Sequence, residues 1–417
     1  MNNNPFTSKT FVTNWMKHFG YQKQPTQFKS IEGVSFVKKS WIPLFVNVGE
    51  NLTKGLSYKL NPLQTDFKKK VFLIYDVPSY FDKEHQNNEG SLGSIKIDKV
   101  FQYQGFLMNL KDFESKEEYI KEQFKTHNKR YIRWSHINRL EACFNVSYRF
   151  FYGDMTDSEY KLVFNKFYQL LIERFQGKGT NYHHLNEQKW AFYRELVLPM
   201  IRNKEASFFV IYDNNMPIGV NLNYHAENTL FKAITVFDVD YSKFSIGKLS
   251  VLKILDWCFE NGYQVSDFSK GDFDYKRIWS NTIYDFHYHV LYDSSSLVSL
   301  MLGKGLVSFL KTKLWLREKG VNRLYRKVIF RLKGNSVRTL SHGELNYKVK
   351  PIGQNDEVMV SETVDLNTVD NQFLKRYVYD FAFKNPEPLA NITVHKTSTS
   401  NASYVIKGSK NSILLEA

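Results

Sequence analysis

Apolar and polar residues in the second half of the chain predict three consecutive antiparallel strands. Residues 206–212 form an apolar run, residues 218–224 alternate with one apolar face, and residues 230–237 form a second apolar run. The short polar segments 213–217 and 227–229 between them have the composition of tight turns. We therefore expect an antiparallel meander.

A helix and a further strand are predicted after the meander. Leu249, Leu252, Leu255 and Phe259 fall on one face of a helix over residues 247–261, and Gly262 is a typical C-terminal stop. Residues 265–268 then read as a strand that ends at a Ser-Lys-Gly-Asp turn. The order meander, helix, strand predicts a mixed α/β domain.

The remaining segments are less regular. Apolar runs at 35–37, 41–46 and 71–75 indicate short strands, and the polar, Gly-containing segment 82–93 indicates a mobile loop. Segments with helical periodicity are residues 116–141, 157–175 and 185–200. Residues 335–417 carry weak strand signals, such as 358–360, and predict a small appended module or a loosely folded tail.

Length and composition agree with an ordered protein of more than one domain. The chain has 417 residues, of which 42% are hydrophobic and 16% aromatic. Cys143 and Cys258 lie far apart and outside any ligand spacing, so we expect neither a disulfide nor a metal site. The first residues lack the apolar core of a signal peptide, and the apolar run 297–310 is interrupted by Lys304, so a cytoplasmic protein is expected.

Positive charge is concentrated in one stretch. The formal net charge is +15, and residues 304–333 contain ten Lys or Arg but only one acid, Glu318. Such a stretch can bind anionic lipid, phosphate-rich ligands or nucleic acid, or can be a solvated helix face. Peripheral contact with the inner face of a membrane is one prediction that follows.

The loop before the helix at 247 is a candidate cofactor site. Coenzyme A carries a pyrophosphate, and the free N–H groups at a helix N-terminus bind such anions. The predicted cofactor-binding residues are Phe244, Ser245, Ile246, Gly247 and Lys248. In this loop Gly247 would allow close approach of the backbone, and Lys248 would add positive charge.

The segment after the last predicted strand is the most specific in the chain. It reads Asp267-Phe-Ser-Lys-Gly-Asp272-Phe-Asp-Tyr-Lys276-Arg-Ile-Trp279. This segment resembles the C-terminal motif of the CelD/BcsL-type acetyltransferase family, in the GNAT superfamily. The hairpin turn at 213–217, Phe237-Asp238, Tyr241 and the loop at 245–247 are similar to that family in order and spacing.

The resemblance covers about residues 100–335 and implies a GNAT-type acyl-CoA N-acyltransferase fold, with two tandem lobes as in the related FemABX group. The domains expected are an N-terminal GNAT-like lobe over 1–180, a GNAT acetyltransferase domain over 181–335, and an appended module or tail over 336–417. One departure concerns the cofactor loop, where the usual Gln/Arg-x-x-Gly-x-Gly/Ala is replaced by Phe244 and Leu249 at its two ends.

The implied activity is transfer of an acyl group from acetyl-CoA or another acyl-CoA to an amine, with no metal. The acceptor hinted at is an amino sugar or another precursor of the cell envelope or of a polysaccharide. Asp272 is the candidate base with Asp267 behind it, and Tyr275 would protonate the leaving thiolate. The predicted substrate-binding residues are Lys270, Gly271, Lys276, Arg277 and Trp279. The alternative reading is that Asp272 shapes a turn and that Tyr275 and Trp279 are core residues.

Two rival functions stay open. Basic and aromatic residues alternate at 125–134, which suits contact with tRNA, and FemABX-like transferases can take their acyl group from aminoacyl-tRNA. The other rival is a non-catalytic scaffold that uses residues 304–333 to sit on a membrane surface or an assembly partner.

Overall fold

A computed structural model describes most of the chain. The described residues are 4–39, 41–61, 63–81, 93–125, 131–176, 185–320, 347–353, 358–366, 368–398 and 403–416. The loop predicted at 82–93, the residues 126–130 of the proposed tRNA-binding stretch, and the basic residues after 320 lie wholly or mostly outside these ranges.

The described strands are given in chain order. They are β1 Thr26–Phe28, β2 Ile31–Lys39, β3 Leu44–Asn47, β4 Lys59–Leu60, β5 Val71–Pro78, β6 Ile95–Asn109, β7 Val146–Phe151, β8 Ala206–Asp213, β9 Met216–Ala226, β10 Thr229–Phe237, β11 Val265–Lys270, β12 Thr282–Asp293, β13 Lys348–Ile352, β14 Val360–Thr363, β15 Thr393–Thr397, β16 Tyr404–Lys407 and β17 Ser412–Glu416.

The α-helices of the described residues alternate with these strands. They are α1 Lys9–Phe19, α2 Lys116–Gln123, α3 Trp134–Cys143, α4 Asp157–Gln176, α5 Glu187–Arg202, α6 Ile246–Glu260, α7 Asp274–Trp279, α8 Leu297–Glu318 and α9 Leu374–Lys384. A 3-10 helix, Val239–Phe244, connects β10 to α6.

The predicted meander, helix and strand are confirmed. β8, β9 and β10 pair antiparallel in sequence, with Asn214 and Glu227 supplying the positive φ angles of the two turns. Gly262, at φ 71°, follows the end of α6, as expected of a C-terminal stop. α6 then returns the chain to β11, which pairs parallel to β10. The fold is therefore of the mixed α/β class that the sequence predicts.

The two halves of the chain share one sheet. Twelve strands of the described residues join in the order β1-β2-β3-β5-β12-β6-β11-β10-β9-β8-β7, with β4 beside β2. β12 comes late in the chain but lies between β5 and β6, and β6 in turn pairs with β11. β7 precedes residue 180 yet pairs with β8. The sheet thus runs across the predicted boundary at 180/181 in both directions, and the boundary itself stays a prediction.

The described part of residues 347–416 is a small sheet with one helix, ordered β13-β17-β16-β15-β14. Helix α9 packs Tyr379 against Tyr241, with ring centroids 4.8 Å apart, and Phe383 against Phe244 at 5.2 Å. An ion pair of 2.5 Å joins Asp380 to Lys243. The buried residues of this segment belong to the same hydrophobic core as those of α6.

The cysteines and the apolar helices were both considered in the sequence. Cys143 and Cys258 are both buried free thiols. Within the described ranges, no helix is both long and apolar enough to cross a membrane.

Candidate active site

The parallel strands β10 and β11 diverge in the middle of the sheet. Their register covers only Thr229 to Phe231 on β10 and Val265 to Asp267 on β11, although β10 runs on to Phe237. Beyond this point the two strands no longer pair with each other. Unpaired backbone along diverging strands is available to an extended ligand.

Asp267 lies buried at the last paired position. Its carboxylate accepts hydrogen bonds from the Tyr80 hydroxyl (2.9 Å), the Tyr284 hydroxyl (2.5 Å) and the Ser269 N–H (2.6 Å). Burial raises the pKa of Asp267 to about 6, and the three hydrogen bonds oppose that rise. The predicted role of Asp267 near the chemistry is thus compatible with its position, and its two tyrosine partners were not foreseen.

A second buried carboxylate, Asp76, comes from the other half of the sheet. It accepts hydrogen bonds from Thr53 Oγ1 (2.8 Å), from Gln102 Nε2 (2.9 Å) and from the Tyr103 hydroxyl. Asp76 also has a positive φ of 57°, and its N–H donates to Gln102 Oε1. A non-glycine residue in that conformation and without solvent contact is held by its surroundings, as functional residues often are.

Lys54 comes from the extended segment around Gly55 and is close enough for the charges of both carboxylates to influence its amine. A Cβ on Gly55 would lie 2.8 Å from Phe231 Cζ, so the segment runs directly against β10. Lys54 is 8% exposed, and the described residues offer its Nζ no hydrogen bond. Burial, and then the positive charge of Lys270, lower its pKa to about 7. A buried lysine that is partly neutral near pH 7 is a candidate proton acceptor.

Lys270, at the end of β11, completes what we call the junction site: Lys54, Asp76, Asp267 and Lys270. Its Nζ donates to the Asn51 carbonyl (2.7 Å) and lies 3.8 Å from Asp76 Oδ2. Because Lys270 is only partly buried, it faces the accessible side of the site. The junction site thus contains two cationic and two acidic side chains, drawn equally from the two halves of the sheet.

The other predicted catalytic residues lie outside the junction site. Asp272 is exposed and accepts two hydrogen bonds from Arg277, of 2.6 and 2.5 Å. The bond from Arg277 lowers the pKa of Asp272, which makes this carboxylate a weak base. Tyr275, in α7, is 42% exposed and its ring stacks on Phe273.

Three of the predicted substrate-binding residues fix the turn after β11 and helix α7 in position. Lys276 Nζ donates to the carbonyls of Phe268 (2.7 Å) and Lys270 (2.6 Å), and burial lowers its pKa to about 8. Gly271 has a φ of 103°, which favours glycine. Trp279 is 1% exposed and packs edge-on against Phe124. Lys276 and Trp279 therefore contribute to the position of β11, and their side chains have no surface free for a ligand.

The predicted cofactor loop has buried and accessible members. Phe244 and Ile246 are core residues, so only their backbone could meet a ligand. Ser245 has a left-handed conformation (φ 61°), and its side chain does not cap α6. A Cβ on Gly247 would lie 2.9 Å from Phe237 Cε1, so packing against β10 already requires glycine there.

Positive charge surrounds the start of α6. Lys248 Nζ donates to the Tyr131 carbonyl (2.6 Å) and lies 4.0 Å from the centre of the Tyr131 ring. Burial and then the nearby Arg133 lower the pKa of both Lys248 and His136. These groups lie close enough to influence each other, and a bound anion would relieve their mutual repulsion.

A comparison with protein families identifies part of the chain. Residues 128–277 match the family profile described as the acetyltransferase (GNAT) domain. The match covers 150 of the 417 residues. The broader resemblance is thereby confirmed, and the narrower assignment to the CelD/BcsL-type family stays a prediction. No curated protein matches the chain significantly.

Solved structures with partial likeness include FemX, with 8% identity and a TM-score of 0.47 over 69% of this chain and 92% of that chain. L-PGS from Bacillus licheniformis has 11% identity and a TM-score of 0.39 over 72% and 97%. A tandem GNAT protein from the clavulanic acid biosynthesis pathway has 8% identity and a TM-score of 0.31 over 68% and 94%. Values this low give no information on donor or acceptor.

The residues that sequence reasoning missed are Lys54 and Asp76, together with Tyr103, which donates to Asp76, and Tyr80 and Tyr284, which donate to Asp267. A second buried lysine, Lys232, was also missed. It directly follows Phe231, the last residue of β10 that pairs with β11, and burial lowers its pKa to about 7. The chain has 57 Lys and Arg residues, and the local sequence does not distinguish Lys54 and Lys232 from the others.

Proposed function

We propose that the chain is an acyltransferase that moves an acyl group from a coenzyme A thioester to an amine at the junction site. The observation that carries the proposal is that Asp267 lies where β10 and β11 diverge, with the buried amine of Lys54 close enough to be influenced by its charge. The acceptor that we propose, an amino sugar or related cell-envelope precursor, rests on the family resemblance alone.

The chemistry requires removal of a proton from the attacking amine. As the new C–N bond forms and the C–S bond breaks, the ammonium proton passes to Lys54 and then to the leaving sulfur, which departs as a thiol. A pKa of about 7 leaves Lys54 neutral in about half of the molecules near pH 7. Asp267 and Asp76 stabilise the protonated Lys54 that forms in this step.

In this proposal the donor pyrophosphate binds at the first turn of α6. Ser245 leaves the helix start without a side-chain cap, and Arg133 and Lys248 supply positive charge beside it. The acyl end would then lie along the diverging part of β10, towards the junction site.

The test is the thermal unfolding midpoint of the full chain with increasing acetyl-CoA. A ligand at about 100 times its dissociation constant adds roughly 2.7 kcal/mol to stability. We expect Lys248→Glu to weaken this shift and the exposed control Lys121→Glu to retain it. Gly247→Trp is unsuitable, because any side chain there displaces Phe237. A wild-type chain whose midpoint does not respond to acetyl-CoA contradicts a coenzyme A donor.

A second set of variants separates binding from chemistry. Lys54→Met should retain the acetyl-CoA shift but lose thiol release with glucosamine and other amino sugars as acceptors. Wild-type activity should rise with pH around an apparent pKa of about 7, because only neutral Lys54 accepts the proton. Full activity in Lys54→Met would remove Lys54 from the mechanism.

An aminoacyl-tRNA donor is the second candidate. The observation in its favour is the group of basic residues beside α6, Arg133, His136 and Lys248, which would meet RNA phosphates as readily as a pyrophosphate. Binding of tRNA that weakens steeply with salt, together with no response to acetyl-CoA, would support this donor.

A further inference from the structure

Helix α8 leaves an unusual number of large apolar side chains exposed. Six of the twenty exposed large hydrophobic residues of the described chain lie on this one helix. They form what we call the outer stripe: Leu297 (68% exposed), Val298 (56%), Met301 (59%), Phe309 (63%), Trp315 (55%) and Leu316 (38%). Exposed large apolar side chains gathered on one face of a helix indicate an interaction site.

The opposite face of α8 fixes the helix to the sheet. Ser299, Gly303, Val307 and Leu310 are buried. At Gly303 a Cβ would lie 2.5 Å from the Tyr292 ring, so the helix backbone lies directly on β12. At the far end, Arg317 Nη2 donates to the Gln102 carbonyl (2.6 Å). The outer stripe therefore points away from a rigid support.

Lysines flank the stripe. Lys311, Lys313 and the C-cap residue Lys319 are exposed, as is Lys304, which also pairs with Asp98 (Nζ–Oδ2 3.0 Å), and Glu318 is the one acidic residue of the helix. With 100° per residue, Lys304 and Lys311 fall on one side of the stripe and Lys313 on the other. An apolar stripe with Trp and Phe between two basic edges is the pattern of helices that lie in the plane of a membrane surface.

We propose that α8 lies along an anionic membrane surface, with the outer stripe inserted between headgroups and its lysines in contact with lipid phosphates. Charge complementarity selects this occupant over a second copy of the chain, whose own lysines would meet these across the contact. The proposal does not depend on the proposed function.

The attachment has a consequence for the junction site. Arg317 holds Gln102 through its carbonyl, and the side chain of Gln102 holds Asp76. The membrane-bound helix would thus end two contacts away from the proposed chemistry, which fits an acceptor presented at a lipid surface.

The test is sedimentation of the full chain with vesicles at about 0.15 M salt. We expect the protein to pellet with vesicles of phosphatidylglycerol and phosphatidylcholine, and at least tenfold less with phosphatidylcholine alone. Removing one lysine near an anionic surface lowers binding about fivefold, which corresponds to about 1 kcal/mol. Lys311→Glu combined with Lys313→Glu should therefore reduce pelleting at least tenfold.

A matched control keeps the net charge equal. Lys121→Glu combined with Lys161→Glu makes the same charge change on other helices, and should leave pelleting within about twofold of wild type. Phe309→Ser combined with Trp315→Ser should reduce pelleting without lowering the unfolding midpoint, because both side chains are exposed. These variants also separate insertion of the stripe from attraction of the lysines.

Three results would overturn the proposal. One is a wild-type chain that fails to pellet with anionic vesicles. Another is equal loss of binding in the Lys121/Lys161 control, which would indicate unspecific attraction. The last is a dimer in sedimentation velocity that Phe309→Ser with Trp315→Ser converts to a monomer, without vesicle binding, because the stripe would then belong to a second copy.

Discussion

Replacing Lys54 by methionine should change how the stability of the protein depends on pH. Methionine retains an unbranched chain of similar length and removes the amine. In the folded protein burial lowers the pKa of Lys54 from 10.5 to about 7. Between these two values the unfolded chain binds a proton that the folded chain has released, so wild-type stability rises with pH over that range.

The size of the effect follows from the two pKa values. One pKa unit corresponds to about 1.4 kcal/mol, so the buried amine costs about 4 kcal/mol at about pH 7 and about 1 kcal/mol at about pH 9.5. The variant should therefore be more stable than wild type by about 4 kcal/mol near neutral pH. This advantage should shrink by about 3 kcal/mol on going to about pH 9.5.

Urea unfolding of both proteins at the two pH values, followed by tryptophan fluorescence, measures this difference. The other buried lysines, Lys232 and Lys276, titrate in both proteins and cancel in the comparison. The exposed control Lys121→Met should show the same change in the free energy of unfolding with pH as wild type. If the free energy of unfolding of Lys54→Met changes with pH as much as that of wild type, Lys54 is solvated in the native state and the argument for its lowered pKa fails.

Three further substitutions test packing and charge around the site. Gly55→Ala places a Cβ 2.8 Å from Phe231 Cζ and 3.2 Å from Pro78 Cγ, and should cost about 1–3 kcal/mol in urea unfolding; an unchanged midpoint would show that this contact is not tight. Trp279→Ala should cost about 3–5 kcal/mol because it empties a core position, whereas a ligand-contacting tryptophan would leave stability unchanged. Asp272→Asn should leave both the unfolding midpoint and acyl transfer unchanged, and lost activity would return Asp272 to the mechanism.

The central domain could be predicted from sequence because its signals are local. The alternation of β9, the periodicity of α6 and the stop at Gly262 each lie within a window of a few residues. The same local signal drew attention to residues 267–279, of which Asp267 and Lys270 lie in the junction site. Lys276 and Trp279 look like ligand-binding residues in sequence because they follow a Gly-Asp turn, but the folded chain uses them for support.

The other half of the junction site could not be predicted, because its contacts join distant parts of the chain. Lys54 lies in a segment without periodicity, and only the fold brings it within the influence of the charge of Asp267, which follows more than two hundred residues later. The position of β12 between β5 and β6 could not be predicted either. The hydrophobic pattern of a strand shows which face is buried, but it does not show which other strand pairs with it.

The interleaved sheet has a consequence for synthesis of the protein. Strands β5 and β6 leave the ribosome early, but the strand that joins them, β12, is among the last of the sheet to be made. Until residues 282–293 emerge, both strands have unpaired edges, which invite pairing with other chains. We expect the nascent chain to depend on chaperones over this interval, and chains truncated before β12 to aggregate instead of folding as a separate first lobe.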